Sequence, residues 1–275
     1  MGAAVAPPAG LRRRVRVGLI GFGFIGRQVH DRIVARPELG LDLAFVHNRT
    51  ADALATVASE LRIADLDDAT AREADLVVEM AHPSITQRWG EAILGRASYL
   101  PLSVTALADD ALRERLIARA AAAGTTLAVP HGALMGLDSL REWRHAWAEV
   151  TITFSKHPSN IDFSASGIDP AAIVGDTVLY DGPARGIAAL YPRNVNTMIT
   201  CALATVGLDR CRARLVASPA LRCAIAEVEA RGHDGSRLSM RKEQPATGVS
   251  GTEMFESQFA SIVRAAGRQE TFAFV

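Results

Sequence analysis

Cysteine is scarce in this sequence, with only Cys201, Cys211 and Cys223 among 275 residues. The three stand apart, without a C-x-x-C pair or metal-ligand spacing, so a disulfide framework, a redox dithiol and a thiolate zinc site have no support. Cys201 falls in an apolar helical run and reads as a buried thiol in a reducing compartment. Net charge is absent as well. Thirty basic residues balance thirty acidic ones, and no long charge run breaks the balance. Nucleic acid and acidic membrane surfaces therefore drop out as partners. No run reaches the roughly 18 apolar residues of a membrane span. The first residues, MGAAVAPPAGLRRR, hold no apolar segment ahead of a cleavage site. They read as a disordered leader over residues 1–14 and not as a signal peptide, which makes the expected location cytoplasmic. Neither H-E-x-x-H nor G-x-S-x-G occurs, so zinc-hydrolase and serine-hydrolase chemistry is also unsupported. Internal repeats are missing, and so is low complexity outside the leader.

What is present is a well-mixed globular sequence, 49% hydrophobic and 22% charged, long enough for one large or two medium domains. It is organised around Val15 to Gln28, VRVGLIGFGFIGRQ. An apolar segment, Val15, Val17, Leu19 and Ile20, runs straight into Gly21-Phe22-Gly23-Phe24-Ile25-Gly26. That order is the first strand, turn and helix start of a dinucleotide-binding βαβ unit. Gly21 suits the tight turn, Gly23 lets the backbone approach a pyrophosphate, and Gly26 lets the helix pack on the strand. Phe24 and Ile25 open the helix, whose free N–H groups and positive dipole end face the phosphates.

The first helix is expected over Ile25 to Ala35, stopping before Pro37, and a second strand over Leu41 to Val46. The residues after that strand decide which nicotinamide cofactor fits. NAD sites place a carboxylate there; this sequence has His47-Asn48-Arg49-Thr50. Asn48, Arg49 and Thr50 suit a 2′-phosphate, which a carboxylate would repel, so NADP is favoured over NAD. An arginine merely exposed at a helix start fits the same residues.

Ala51 to Leu61 reads as a helix, and Asp75 to Met80 as a strand covered on both faces. The strand ends at Ala81-His82-Pro83-Ser84, on the carboxyl edge where ligands of open α/β sheets collect. Ala81 and His82 are accordingly candidate cofactor contacts, although a histidine before a proline also fits a helix start. Trp89 to Arg96 and Asp109 to Ala123 read as helices, and Ser98 to Ser103 and Leu127 to Val129 as strands. This regular alternation over residues 15–140 predicts a doubly wound parallel sheet, an α/β Rossmann domain. Over residues 141–254 the pattern changes. Strands are expected at Glu149 to Ser155, Asp176 to Asp181 (ending in an Asp181-Gly182 turn), Arg212 to Ala217, Ala224 to Ala230 and Arg237 to Lys242. With one helix, Asn194 to Val206, they predict an α+β domain with a mixed sheet that binds substrate and supplies a dimer surface. A final helix, Phe255 to Ala266, opens a segment 255–275 that returns to the first domain.

Several stretches carry a family likeness: Pro130-His131-Gly132-Ala133 with Gly136-Leu137-Asp138, Leu190-Tyr191-Pro192-Arg193-Asn194-Val195-Asn196, Gly207-Leu208-Asp209-Arg210, and Val228-Glu229-Ala230 with Gly232. Together with GFGFIG they resemble the L-aspartate dehydrogenase family over nearly the whole chain after the leader. The wording of Phe45 to Arg49, Ala81 to Pro83 and Pro192 to Asn194 is most similar to its animal-type branch. The resemblance implies NAD(P)-dependent interconversion of aspartate with iminosuccinate, or with oxaloacetate plus ammonia, in a homodimer. It also implies cofactor contacts at Ala133 and Asn196.

One departure stands out. By the same resemblance, the catalytic histidine belongs two residues before the Val228-Glu229 pair, and this chain has Ala226 there. Alanine transfers no proton. Either activity is lost, the substrate differs, or another residue has taken over. The reaction needs a group that exchanges a proton with the substrate nitrogen near neutral pH, and donors for the carboxylates. His157 and Lys156, after the first strand of the second domain, offer both kinds of group. His131 and His82 are further candidates, while His233 lies in a turn too far from Ala226. Arg193 and Asn194 are candidate substrate ligands, with a structural ion pair the plain alternative for Arg193. A small amino or oxo acid is thus the expected substrate, unless the chain is a non-catalytic nucleotide sensor.

Overall fold

The computed structural model describes residues 13–67, 73–247, 250–251 and 254–268. The expected leader lies outside the described residues as far as residue 12. Arg14 is held in place, its Nε donating to Asp42 at 2.7 Å.

The first sheet contains β1 (Val15–Ile20), β2 (Leu41–His47), β3 (Arg62–Ile63), β4 (Leu76–Glu79) and β5 (Ser98–Pro101), in the order β3-β2-β1-β4-β5. All neighbours run parallel. Every residue of β4 is buried, as expected of a strand whose two faces are both covered. The helices α1 (Phe24–Ala35), α2 (Pro83–Leu94) and α3 (Asp110–Ala123) complete this layer. The strand order reverses between β1 and β4, which leaves a crevice outside their carboxyl ends.

The glycine-rich turn has the geometry its spacing predicts. Gly21 adopts φ +99°, and a Cβ there would meet the Met80 backbone at 2.8 Å. A Cβ on Gly26 would lie 2.1 Å from the Gly21 carbonyl oxygen, so α1 starts closer to the strand than any side chain permits. A Cβ on Gly23 would meet nothing within 4 Å, leaving open space outside the helix start.

Several expected elements are different. Ala51 to Leu61 is not an α-helix but two 3-10 turns, Ala51–Leu54 and Ser59–Leu61. The Arg62 guanidinium takes the carbonyls of Val57 (2.7 Å) and Ala55 (3.0 Å), which a helix would have used for itself. A segment this short, with Thr56 and Val57 β-branched, has little intrinsic helicity to oppose that. α2 begins at Pro83, well before Trp89, because His82 caps it and Pro83 fits its first turn. Leu127 forms a single parallel bridge with Tyr99 in place of a strand.

The second sheet is mixed, as expected. It contains β6 (Trp147–Lys156), β7 (Thr177–Pro183), β8 (Arg212–Ala217), β9 (Ala224–Gly232) and β10 (Arg237–Gln244), in the order β10-β9-β6-β8-β7. β6 is parallel to β8 and the remaining pairs are antiparallel. The Asp181-Gly182 turn is not formed; β7 runs through it to Pro183 and a further helix, α5 (Ala184–Leu190), follows. On one face Trp147, Val150, Ile152 and Phe154 are buried, against helices that include α4 (Leu137–Glu142) and α6 (Asn196–Ala204). Their apolar cluster continues to Phe45 and Val77 of the first sheet, so the two sheets share a core. The last helix, α7 (Met254–Ala265), buries Phe259 and Ile262 with Val17, Leu19 and Val29. An Arg32–Glu256 ion pair also ties α7 to α1.

Because the Gly26 contact is with backbone, Gly26→Ala should destabilise the protein by roughly 1–3 kcal/mol, the usual range for overpacking a tight site. Urea denaturation checks this; an unchanged midpoint would mean that the start of α1 is free to shift.

Candidate functional site

The crevice lies between the carboxyl edge of the first sheet and the buried face of the second. Its first-sheet wall comes from Ile25, Met80, Ala81, Leu102 and Ser103, and its opposite wall from Phe154, Lys156, Ala224, Ala226 and Gln244. Pro130, Gly132, Ala133, Arg193, Asn194, Asn196, Thr197 and Gln258 also line it. The turns that form the first wall are organised by one carboxylate. Glu79, at the end of β4, is fully buried. It accepts hydrogen bonds from the N–H of Ala81 (2.6 Å) and His82 (2.7 Å), and from the Ser103 hydroxyl (3.0 Å) and N–H (3.3 Å). Burial raises its pKa to about 7, with these donors opposing the rise.

The linkers between the sheets are cross-tied. Asn196 at the start of α6 accepts from Thr105 N–H (3.1 Å), and the Thr105 hydroxyl donates to Pro192 O (3.0 Å). Thr197 accepts from Ala133 N–H at 3.2 Å, beside Gly132 at φ +58°. Lys242 Nζ reaches the Ala133 carbonyl at 3.0 Å. These bonds hold Ala133 and Asn196 on one side of the crevice. Asn194 is buried in loop structure, accepting from Asp162 N–H (2.9 Å) and donating to Asn160 O (3.2 Å). Arg193 pairs with Asp162 at 3.0 Å and also borders the crevice.

Lys156 is the ionisable group most deeply placed in the second wall, 7% exposed at the end of β6. Its Nζ lies 5.4 Å from the centre of the Phe154 ring, and burial lowers its pKa to about 8. Ala226 is paired in register with Phe154 on one side and Lys242 on the other. Directly opposed residues share a sheet face, so Ala226 leaves a gap in a row that otherwise carries an aromatic ring and an amine.

The histidines have other partners. His82-Pro83-Ser84 and His157-Pro158-Ser159 form the same local turn. In each, Nδ1 accepts from the serine N–H (3.2 and 3.1 Å) and lies 2.8 Å from its hydroxyl. A ring nitrogen that accepts must be unprotonated, so the proton of each neutral ring is on Nε2. Neither histidine lines the crevice, and neither does His131, whose neighbours Pro130 and Gly132 do. At the other end, Gly21 N–H donates to His47 O (2.9 Å) and Phe22 N–H to Asn48 Oδ1 (3.0 Å). These bonds dock the end of β2 on the glycine turn, with Arg49 and Thr50 exposed beside it. Phe24 is exposed and packs edge-on against Phe255.

Residues 21–130 match the NAD-binding domain of homoserine dehydrogenase, and residues 138–252 match the C-terminal domain of aspartate dehydrogenase. An aspartate dehydrogenase domain-containing protein of Xenopus tropicalis is 39% identical over 217 residues, 76% of each chain. The L-aspartate dehydrogenase of Cupriavidus taiwanensis is 32% identical over 267 residues, 93% of this chain and 97% of its own. The chain belongs to the aspartate dehydrogenase family. This is a family of NAD-dependent dehydrogenases acting on small molecules. A crystal structure of aspartate dehydrogenase from Thermotoga maritima has the same fold, with a TM-score of 0.72 at 24% identity, covering 96% of this chain and all of that one.

Within this aspartate dehydrogenase-family fold, Glu79, Thr197, Gln244 and Gln258 also belong to the site, although no motif marks them. For two of them a signal existed. Glu79 ends an otherwise apolar buried strand, and Gln258 lies one turn before Ile262 on the buried face of α7. A carboxyl whose folded pKa is raised stabilises the folded state most when protonated. Between pH 4.5 and about 7 the unfolded chain has lost this proton while the folded chain keeps it, so stability falls as pH rises through that window. Relative to Glu79→Gln, wild-type unfolding free energy should fall by about 3 kcal/mol across it. Denaturant titrations at several pH values check this; parallel curves throughout would contradict it.

Proposed function

We propose that the protein is an NADP(H)-preferring dehydrogenase that interconverts L-aspartate with iminosuccinate, or with oxaloacetate plus ammonia. In this reading Lys156 handles the proton that the family's histidine would have carried. The observation that carries it is a buried amine of lowered pKa, near 8, on the crevice wall that also contains Ala226. The residues fit a dinucleotide: Gly23 leaves open space at the start of α1, and the docked Asn48-Arg49-Thr50 turn presents a cation beside it. When bound, the nicotinamide supplies the hydride acceptor or donor. Lys156, as the neutral amine, takes a proton from the substrate ammonium; the Cα hydride then leaves and the nitrogen lone pair forms the C=N bond. In the reductive direction its ammonium form returns that proton to the nitrogen. Arg193 supplies a donor for a substrate carboxylate, Asn196 contacts the cofactor, and the buried apolar wall of Phe154 and Ile225 excludes water.

A second reading is favoured by Ala226 itself. The space it leaves suits a bulkier oxo or imino acid than the aspartate skeleton, on the same scaffold and with the same cofactor. Restoring the histidine with Ala226→His should raise aspartate oxidation if the pocket is built for aspartate, and abolish turnover if it is built for the larger acid.

The reading includes a homodimer in the cytoplasm. The dimer surface in this reading is the outer face of the second sheet, where Arg212 and Arg214 already pair with Asp181, and Glu227 with Arg241.

Lys156→Met should lower turnover about 100-fold or more, the usual size of an acid–base contribution, with cofactor affinity unchanged. His157→Ala should leave turnover nearly unchanged, since its ring is turned to Ser159. The opposite pattern would remove Lys156 from the mechanism. Arg49→Ala should weaken NADPH about tenfold, the size of one charge-assisted contact, and leave NADH unaffected. Equal loss for both, by fluorescence titration, would contradict the NADP preference.

A further inference from the structure

Gln258 lies on α7, 4% exposed, and borders the crevice. Its side-chain Oε1 is buried without a hydrogen-bond partner among the described residues. Its Nε2 has the Met254 sulfur at 3.6 Å, a weak acceptor. A buried carboxamide left in this state loses the hydration of its oxygen without replacement, and its NH2 gains only a weak acceptor in exchange. The neighbouring polar side chains of α7 are accounted for. Ser257 donates to Met254 O at 3.2 Å and Ser261 to Ser257 O at 2.9 Å. Nor is Gln258 loosely placed, because Phe259 and Ile262 anchor the helix in the first core.

The position of this amide specifies what it would bind. It faces the space bounded by Ile25 at the start of α1 and by Gly132 and Ala133. Gly132 adjoins this amide: a Cβ built on it would lie 3.9 Å from Gln258 Nε2, in ordinary contact. This space lies between the glycine turn, which suits a pyrophosphate, and Lys156, which suits a substrate. A primary carboxamide offers one acceptor and one donor side by side, and its full complement is a second primary carboxamide.

We propose that Gln258 pairs with the carboxamide of the nicotinamide ring, accepting from its NH2 and donating to its carbonyl. The C-terminal helix thereby sets the rotation of the ring and the face it turns toward Lys156. Gln258 is a cofactor-positioning residue that the glycine-rich fingerprint does not contain. This rests on the reading of the crevice as a nicotinamide dinucleotide site.

Binding of three probes tests it, in wild type and in Gln258→Leu. They are the reduced cofactor that binds more tightly, its 3-acetylpyridine analogue, which has a methyl in place of the NH2 donor, and the matching ADP-ribose fragment, which has no ring. Wild type should prefer the natural cofactor over the analogue about tenfold, the size of one hydrogen bond. Gln258→Leu should lose that preference, bind the cofactor about tenfold more weakly, and keep wild-type affinity for the fragment. A variant that retains the preference overturns the proposal. If the leucine also weakens the fragment, Gln258→Met, which keeps the side chain's length, reads the preference by itself. Retained preference there has the same meaning, and lost preference supports the pairing. A wild type that binds none of the three would instead overturn the dinucleotide reading beneath it.

Discussion

The crevice depends on one buried carboxylate. At the carboxyl edge of a parallel sheet the strands end and their successors turn away, leaving N–H groups that the ladder no longer satisfies. Glu79 collects them from the turn after β4 and from Ser103 after β5, with four hydrogen bonds to two segments. Those two segments supply Ala81 and Ser103 to the first wall of the crevice. A charge with no solvent exposure is expensive unless its oxygens are well supplied with donors. The same bonds that offset its burial therefore fix the wall on which a ligand would rest.

The second wall depends on a similar compromise. Lys156 is carried into the crevice by the alternation of β6 from Val150 onward, where Val150, Ile152 and Phe154 are buried on the same face. Burial disfavours its ammonium form and lowers its pKa to about 8. Desolvation thus moves a lysine toward the range in which a histidine would ordinarily work. Ala226 and Lys156 belong to the same wall, so the ionisable group that this wall offers is the desolvated amine.

Much of the first domain was legible because its signals are local. The three glycines of the fingerprint each have a steric reason readable from spacing, and apolar runs mark strands covered on both faces. Local signals failed where a distant side chain intervened. Arg62 claims the carbonyls that would have made Ala51 to Leu61 a helix. The histidine candidates failed to converge on the crevice for a comparable reason. Residue type and sequence neighbourhood made His157 attractive, but an H-P-S turn commits its Nδ1 to the following serine. Lys156, one residue earlier, alternates to the buried side. Gln258 could be recognised as a polar residue on an apolar helix face, yet its relevance to the crevice requires the return of α7 to the first domain, a contact across more than 200 residues of sequence.

The proposed chemistry requires a nicotinamide ring and a dicarboxylate to meet between the two sheets. A crystal structure of the protein with reduced cofactor and a non-reacting dicarboxylate such as malonate tests this most directly. The expected complex has pyrophosphate at Gly23, the ring between Ala81 and Gln258, and a malonate oxygen within hydrogen-bond distance of Lys156 Nζ. A cofactor bound with its ring outside the crevice, or a dicarboxylate held away from Lys156, would contradict it.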